Sequence, residues 1–160
     1  FDKFWNYDCT GQVTKKYQTW GYVGYDSENI YVGYYCYKGS KNYVAIAKDG
    51  GKIWEDDSVE TFFDPAGSGT FIQFGANSYG YKFSNTGNMN FKTGAKRTAD
   101  GWIVELEIPF ATIGATPKPG DVWRMNFNRS EYDLAIPHSG WSCTYGSFLT
   151  PSRFGYVTFK

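Results

Sequence analysis

The sequence predicts an all-β fold, an antiparallel, jelly-roll-like β-sandwich carried by a single domain over residues 1–160. Three observations lead there. Apolar residues nowhere keep a helical period for the roughly 11 residues of an average helix. Short runs of β-branched and aromatic residues recur instead, bounded by clusters of Gly, Asn, Asp and Pro. In the clearest run, Trp102, Val104, Leu106 and Ile108 share one face while Ile103, Glu105 and Glu107 share the other. That period of two belongs to a sheet with one face against a core.

Each element follows from local chemistry. Phe1 to Tyr17 mixes rings with polar residues and predicts irregular chain with one short strand. Trp20 to Tyr25 and Ile30 to Tyr37 flank Asp26-Ser27-Glu28-Asn29, which predicts two strands joined by a turn. Tyr43 to Ala47 predicts a further short strand before the loop Lys48 to Gly51. Ser58 to Phe63 forms the next and stops at Asp64-Pro65, because the residue before proline is pushed out of helical geometry. Thr70 to Ala76 and Tyr79 to Phe83 make a hairpin about Asn77-Ser78. Asn90 to Lys96 and Trp102 to Ile108 make another about Ala99-Asp100-Gly101, whose Asp-Gly pair is a strong turn former. Pro109 to Ile113 predicts one helical turn, stopped by Gly114. Val122 to Asn128 is a strand with Trp123, Met125 and Phe127 on one side. Arg129 to Thr150 reads as a long loop, of the kind that carries function, and Phe154 to Phe159 as the closing strand.

Composition narrows the function. Lys plus Arg equals Asp plus Glu at 16 each, so no net field draws in phosphate backbones, and nucleic acid is excluded as first partner. No apolar stretch approaches the roughly 20 residues that span a bilayer, and no signal peptide stands at Phe1, so a mature or excised, non-membrane piece is expected. Aromatic residues make up 21% of the chain, more rings than such a core needs. A neutral ligand that desolvates cheaply against ring faces suits this balance. Cys9, Cys36 and Cys143 are too far apart for a compact metal knuckle and allow at most one internal disulfide. Cys36 and Cys143 read equally as small buried hydrophobes.

The candidate site residues begin in IWEDDSVETFFD, Ile53 to Asp64. With a strand from Ser58, Glu60 and Phe62 face one way and Val59, Thr61 and Phe63 the other, and Trp54 lies in the loop before it. An indole face suits sugar C–H groups, and a nearby carboxylate accepts from vicinal hydroxyls. A core lid and a solvated strand acid are the plain alternatives. Asp56 and Asp57 put several oxygens in a short space, as calcium requires, although solvated loop acids explain them as well. In the long loop, Arg129 is expected to emerge at its strand end as a donor to a polyhydroxylated ligand, or else to pair with Glu60 or Glu131. Trp141, between Gly140 and Ser142, is the second candidate platform, against a reading as a ring folded back on the core. His138 is the only histidine, which excludes a His-rich zinc site. Catalysis would need Glu60 with Glu105 or Glu107, and cross-strand pairing with Lys or Arg explains the last two better.

The runs DSENIYVGYYCY at 26–37, WEDDSVETFFDP at 54–65, GWIVELEIPFATIG at 101–114, PGDVWRMNFNR at 119–129 and FGYVTF near the end, with a Trp-containing loop at 141, together resemble carbohydrate-binding module family 9 and its related domains. The resemblance implies a non-catalytic β-sandwich, secreted and monomeric, covalently linked to a polysaccharide-degrading catalytic domain. It implies calcium as a structural ion, no organic cofactor, and an oligo- or polysaccharide ligand: the terminal sugar of a β-glucan or xylan chain, held between two tryptophans. Trp54 resembles the first of these and Trp141 the second, with Glu60 as the hydrogen-bonding carboxylate and Arg129 as a polar wall. His138 stands where an amide is usual, which leaves the sugar open. The wider superfamily includes extracellular haem-binding electron-transfer domains with Met and His or Lys ligands. Met89, Met125 and His138 keep that alternative in view.

Overall fold

The alternation read from the sequence becomes two facing antiparallel sheets in the computed structural model, which describes residues 1–39, 42–132 and 137–160. In chain order the strands are β1 (Trp5–Asn6), β2 (Thr19–Tyr25), β3 (Asn29–Tyr37), β4 (Ser58–Asp64), β5 (Ile72–Asn77), β6 (Lys82–Ser84), β7 (Lys92–Arg97), β8 (Gly101–Pro109), β9 (Val122–Ser130), β10 (His138–Gly140) and β11 (Gly155–Thr158). One sheet runs β1-β10-β9-β4-β5-β6, with β11 also on β9; the other runs β2-β3-β8-β7. The helical turn α1 (Phe110–Ile113) ends at Gly114, whose φ of 78° a residue with a Cβ rarely adopts.

The core lies between the sheets and follows the predicted parity. Ile30, Val32, Tyr34 and Cys36 of β3 meet Trp102, Val104, Leu106 and Ile108 of β8 on one side, with Val59, Phe63, Trp123, Met125 and Phe127 from β4 and β9 on the other. Each such side chain contributes about 1.5–3 kcal/mol when buried, so this stripe holds the sandwich together. A second, smaller cluster of Phe62, Phe148 and Phe154 covers the outer face of the larger sheet, with Tyr7 and Phe71 against it. As a result every residue of β4 is buried, including its polar ones.

Two departures from the sequence reading bear on the site. Tyr43 to Ala47 is not a strand. Its amides bond to side chains instead of a ladder: Val44 N–H donates to Asp57 at 2.7 Å, Ile46 and Ala47 N–H to Asp56 at 2.8 and 3.0 Å. The long loop also contains β10, paired with β9 through His138↔Ser130. Asp133, within that loop, lies outside the described residues. Cys143 is no isolated hydrophobe, since it is bonded to Cys9, with their Cα atoms 5.7 Å apart. Cys36 is the buried free cysteine expected, and burial pushes its thiol up to about 12.

Candidate functional site

On the outer face of the larger sheet, a hollow of roughly 320 Å³ is lined by Trp54, Glu60, Gln73, Phe83 and His138, and by Tyr7 and Phe148. Strand parity puts Glu60 there. It shares its side of β4 with Phe62, away from the core. The turn Ile53–Glu55 carries Trp54 to the rim, where its ring is 38% exposed and rests edge-on against Phe83 at 5.2 Å. Gly75 makes that placement possible: a Cβ there would come within 2.7 Å of the Val59 carbonyl and closer still to Ile53. The facing strand must therefore be bare at this point for the turn to lie on it.

The floor is polar and short of partners. Gln73 Nε2 donates to Glu60 Oε2, while Glu60 Oε1 is buried without a hydrogen bond among the described residues. Burial pushes the Glu60 carboxyl up to about 7, and the Gln73 hydrogen bond works against that rise. On another wall His138 packs against Tyr7 at 4.9 Å and Phe148 at 5.5 Å, with Ser130 Oγ 3.0 Å from its Nδ1. Burial lowers the pKa of the ring, which favours neutral imidazole. The hollow thus combines ring faces with an acceptor that has spare capacity, an amide and an imidazole. Such a set suits a small polyhydroxylated molecule.

Of the five residues expected to bind ligand, the structure brings Trp54, Glu60 and His138 together and places two elsewhere. Arg129 does not emerge from its strand. It continues the side of Trp123, Met125 and Phe127 and lies between the sheets, 1% exposed. Its guanidinium donates to the carbonyls of Tyr17 at 3.0 Å, Gln18 at 3.2 Å and Tyr37 at 2.8 Å, and it pairs with Glu131. Trp141 does not stand clear beside Trp54. Its ring lies over Gly155, where a Cβ would collide with it, and packs on Phe127 and Phe1 at 5.5 and 5.6 Å. The two-tryptophan clamp is therefore absent, because the small residue that receives the indole belongs to β11.

Asp56 and Asp57 do not fit a calcium ion. Asp56 accepts from two backbone amides and from Asn77 Nδ2 at 2.9 Å. Asp57 accepts from Lys38 Nζ at 2.8 and 2.9 Å, from Val44 N–H and from Tyr132 N–H. A hard cation needs six to eight oxygens free of such donors, and an ammonium already sits here. The pair braces the chain on the approach to Trp54. The haem ligands are not gathered either: Met125 is fully buried, Met89 packs on the core, and the hollow at His138 has no methionine in its lining. Glu107 pairs with Lys92 at 2.8 Å across β7 and β8, as cross-strand chemistry predicts. Tyr7, Gln73, Phe83 and Phe148 were not anticipated. Gln73 had a signal, since it sits opposite Phe62 in the hairpin register and so shares the face of Glu60.

Comparison with known proteins supplies the family and similar folds. Residues 6–160 match the family model described as carbohydrate family 9 binding domain-like. The endo-1,4-β-xylanase A of Thermotoga maritima is 33% identical over 120 residues, which are 69% of this chain and 11% of that protein. That of Thermotoga neapolitana is 31% identical over 143 residues, 83% of this chain and 13% of that protein. This chain thus spans little more than a tenth of these relatives. Among solved structures, a family 9 carbohydrate-binding module from Caldicellulosiruptor kristjanssonii in complex with cellotriose has a TM-score of 0.74 at 21% identity, covering 92% of this chain and 77% of that one. A family 9 carbohydrate-binding module from the same organism in complex with glucose gives 0.75 at 21%, with 92% and 79% covered. A putative carbohydrate-binding protein from Bacteroides uniformis gives 0.74 at 20%, with 99% and 87% covered. With its family model matched over nearly its whole length, this chain belongs to the carbohydrate family 9 binding domain-like family.

Proposed function

We propose that the hollow at Trp54 binds the terminal sugar of a β-glucan or xylan chain without cleaving it. The observation that carries this reading is Glu60: a buried carboxylate with one unpartnered oxygen, on the floor of a hollow whose rim is an exposed indole. A ligand hydroxyl donating to Oε1 supplies the missing hydrogen bond, while the Trp54 face takes the C–H side of the ring. Tyr7, His138 and Phe148 form the other aromatic wall in place of a second tryptophan. The small volume favours one or two sugar units over a long internal stretch. Among the described residues Glu60 is the only carboxylate in the lining, and glycoside hydrolysis ordinarily needs two, which supports a binding role. The relatives are xylanases and the similar structures hold glucose and cellotriose, which supports a β-glucan or xylan ligand and a linked catalytic domain. The Cys9–Cys143 bridge supports a secreted protein, since such bonds persist in oxidising compartments.

Titration calorimetry with glucose, cellobiose and xylobiose tests the reading. Trp54→Ala is expected to weaken binding about tenfold or more, the scale of one lost stacking face. Unchanged affinity in that variant would remove the site from this hollow.

A further inference from the structure

The smaller sheet turns a second face to solvent, on the opposite side of the sandwich from the Trp54 hollow. Three cross-strand rows cross it. The middle row is Tyr22, Gly33, Glu105 and Gly94; one flank is Trp20, Tyr35, Ile103 and Lys96, the other Gly24, Tyr31, Glu107 and Lys92. Two of the four middle positions lack a side chain, so the row is sunk between bulkier neighbours. Hollows of roughly 600 and 490 Å³ lie along it and meet at Tyr22, Gly33 and Glu105. With strands about 4.8 Å apart, the trough extends roughly 14 Å across the sheet.

We propose that this trough is a second binding site, for an internal stretch of a neutral polysaccharide chain. The rings beside it are held in place. Tyr31 Oη donates to Asp26 at 2.7 Å, Tyr35 Oη to Asp100 at 2.7 Å, and Tyr35 stacks on Trp20 at 5.3 Å and 21°. Holding them fixed leaves less entropy to lose on binding. Tyr22 stands 61% exposed at the end of the middle row. The charges select the ligand. Lys92 is paired with Glu107 at 2.8 Å and the remaining Lys96 and Glu105 are opposite in sign, so the three rows carry no net charge of their own, while Asp26 and Asp100 at their edges disfavour a polyanion. The Glu105 carboxylate has no hydrogen-bond partner among the described residues and lies in the trough as an acceptor for hydroxyls. A second copy of the chain docked by the same face with its twofold axis at the middle row would bury Glu105 against its equivalent, an unpaired like-charge contact. A neutral polyol chain incurs neither cost. The trough is also larger than the hollow at Trp54, at roughly 600 and 490 Å³ against roughly 320 Å³.

Affinity electrophoresis of the full chain in gels containing soluble xylan or mixed-linkage β-glucan tests the proposal, with calorimetry against cellobiose run in parallel. Trp54→Ala is expected to lose cellobiose yet remain retarded by at least one polymer. Adding Tyr22→Ala, or Gly94→Val, which fills open space in a strand that accepts a β-branched residue, should reduce that retardation about fivefold or more. Thermal melting of each variant should show a folded domain. Loss of polymer retardation by Trp54→Ala alone, retardation indifferent to both trough changes, or sedimentation showing a dimer that Gly94→Val dissociates would each overturn it. Cellobiose binding that survives Trp54→Ala would count against the hollow and leave the trough standing, so the two failures are distinguishable.

Discussion

Glu60 is expensive to keep charged where it stands, and its environment predicts a pH signature. Its pKa in the folded chain, about 7, lies above the ordinary 4.5 because burial penalises the carboxylate. The folded state therefore binds the proton more tightly than the unfolded one. The associated stability is fully present below about pH 4.5 and is lost as pH rises through 7, an effect on the order of 3 kcal/mol. Glu60→Gln removes the titration, so melting curves from pH 4.5 to 8 should fall more steeply for the natural chain than for the variant. Parallel curves would show that Glu60 does not titrate in this window. The position of Glu60 was legible in the sequence, because one phase of alternation along Ser58 to Phe63 settles which residues face outward. The same logic applied to β9 puts Arg129 with Trp123, Met125 and Phe127. The expectation that it emerges at the strand end set that parity aside. Trp141 was not legible: its ring is received by Gly155, and nothing local to Gly140-Trp141-Ser142 names that contact.

At the level of elements, Arg129 is the fastening between β9 and the ends of β2 and β3. It donates to the Tyr17, Gln18 and Tyr37 carbonyls and to Thr19 Oγ1 at 3.2 Å, with Glu131 balancing its charge. Arg129→Met should destabilise the domain by about 3–5 kcal/mol, because Glu131 and several carbonyls lose a buried donor. Cellobiose affinity of the folded fraction should not change. A loss of affinity at unaltered stability would return Arg129 to the ligand site. Most strands were readable from runs of β-formers and turn residues, since hairpin chemistry is local. Tyr43 to Ala47 was not, because β-former content says nothing about which acceptor takes an amide. Here the acceptors are Asp56 and Asp57, so the acidic run that suggested calcium accounts for the misplaced strand as well.

Over the whole molecule, one sandwich presents a smaller hollow on one outer face and a larger trough on the other. The hollow is assembled from distant parts of the chain: Tyr7 near the start, Trp54 and Glu60 around β4, Gln73 and Phe83 from the next hairpin, His138 and Phe148 near the end. The bond between Cys9 and Cys143 ties the first of these segments to the last. Such long-range assembly explains why the fold was readable as a class while half of the wall was not. The central claim is that the sugar contacts Trp54 and not Trp141. Two-dimensional NMR of the indole N–H signals, assigned by Trp54→Phe and Trp141→Phe, decides it during titration with cellobiose. The Trp54 signal should move with saturation while that of Trp141 stays fixed. A moving Trp141 signal beside a stationary Trp54 would contradict the account.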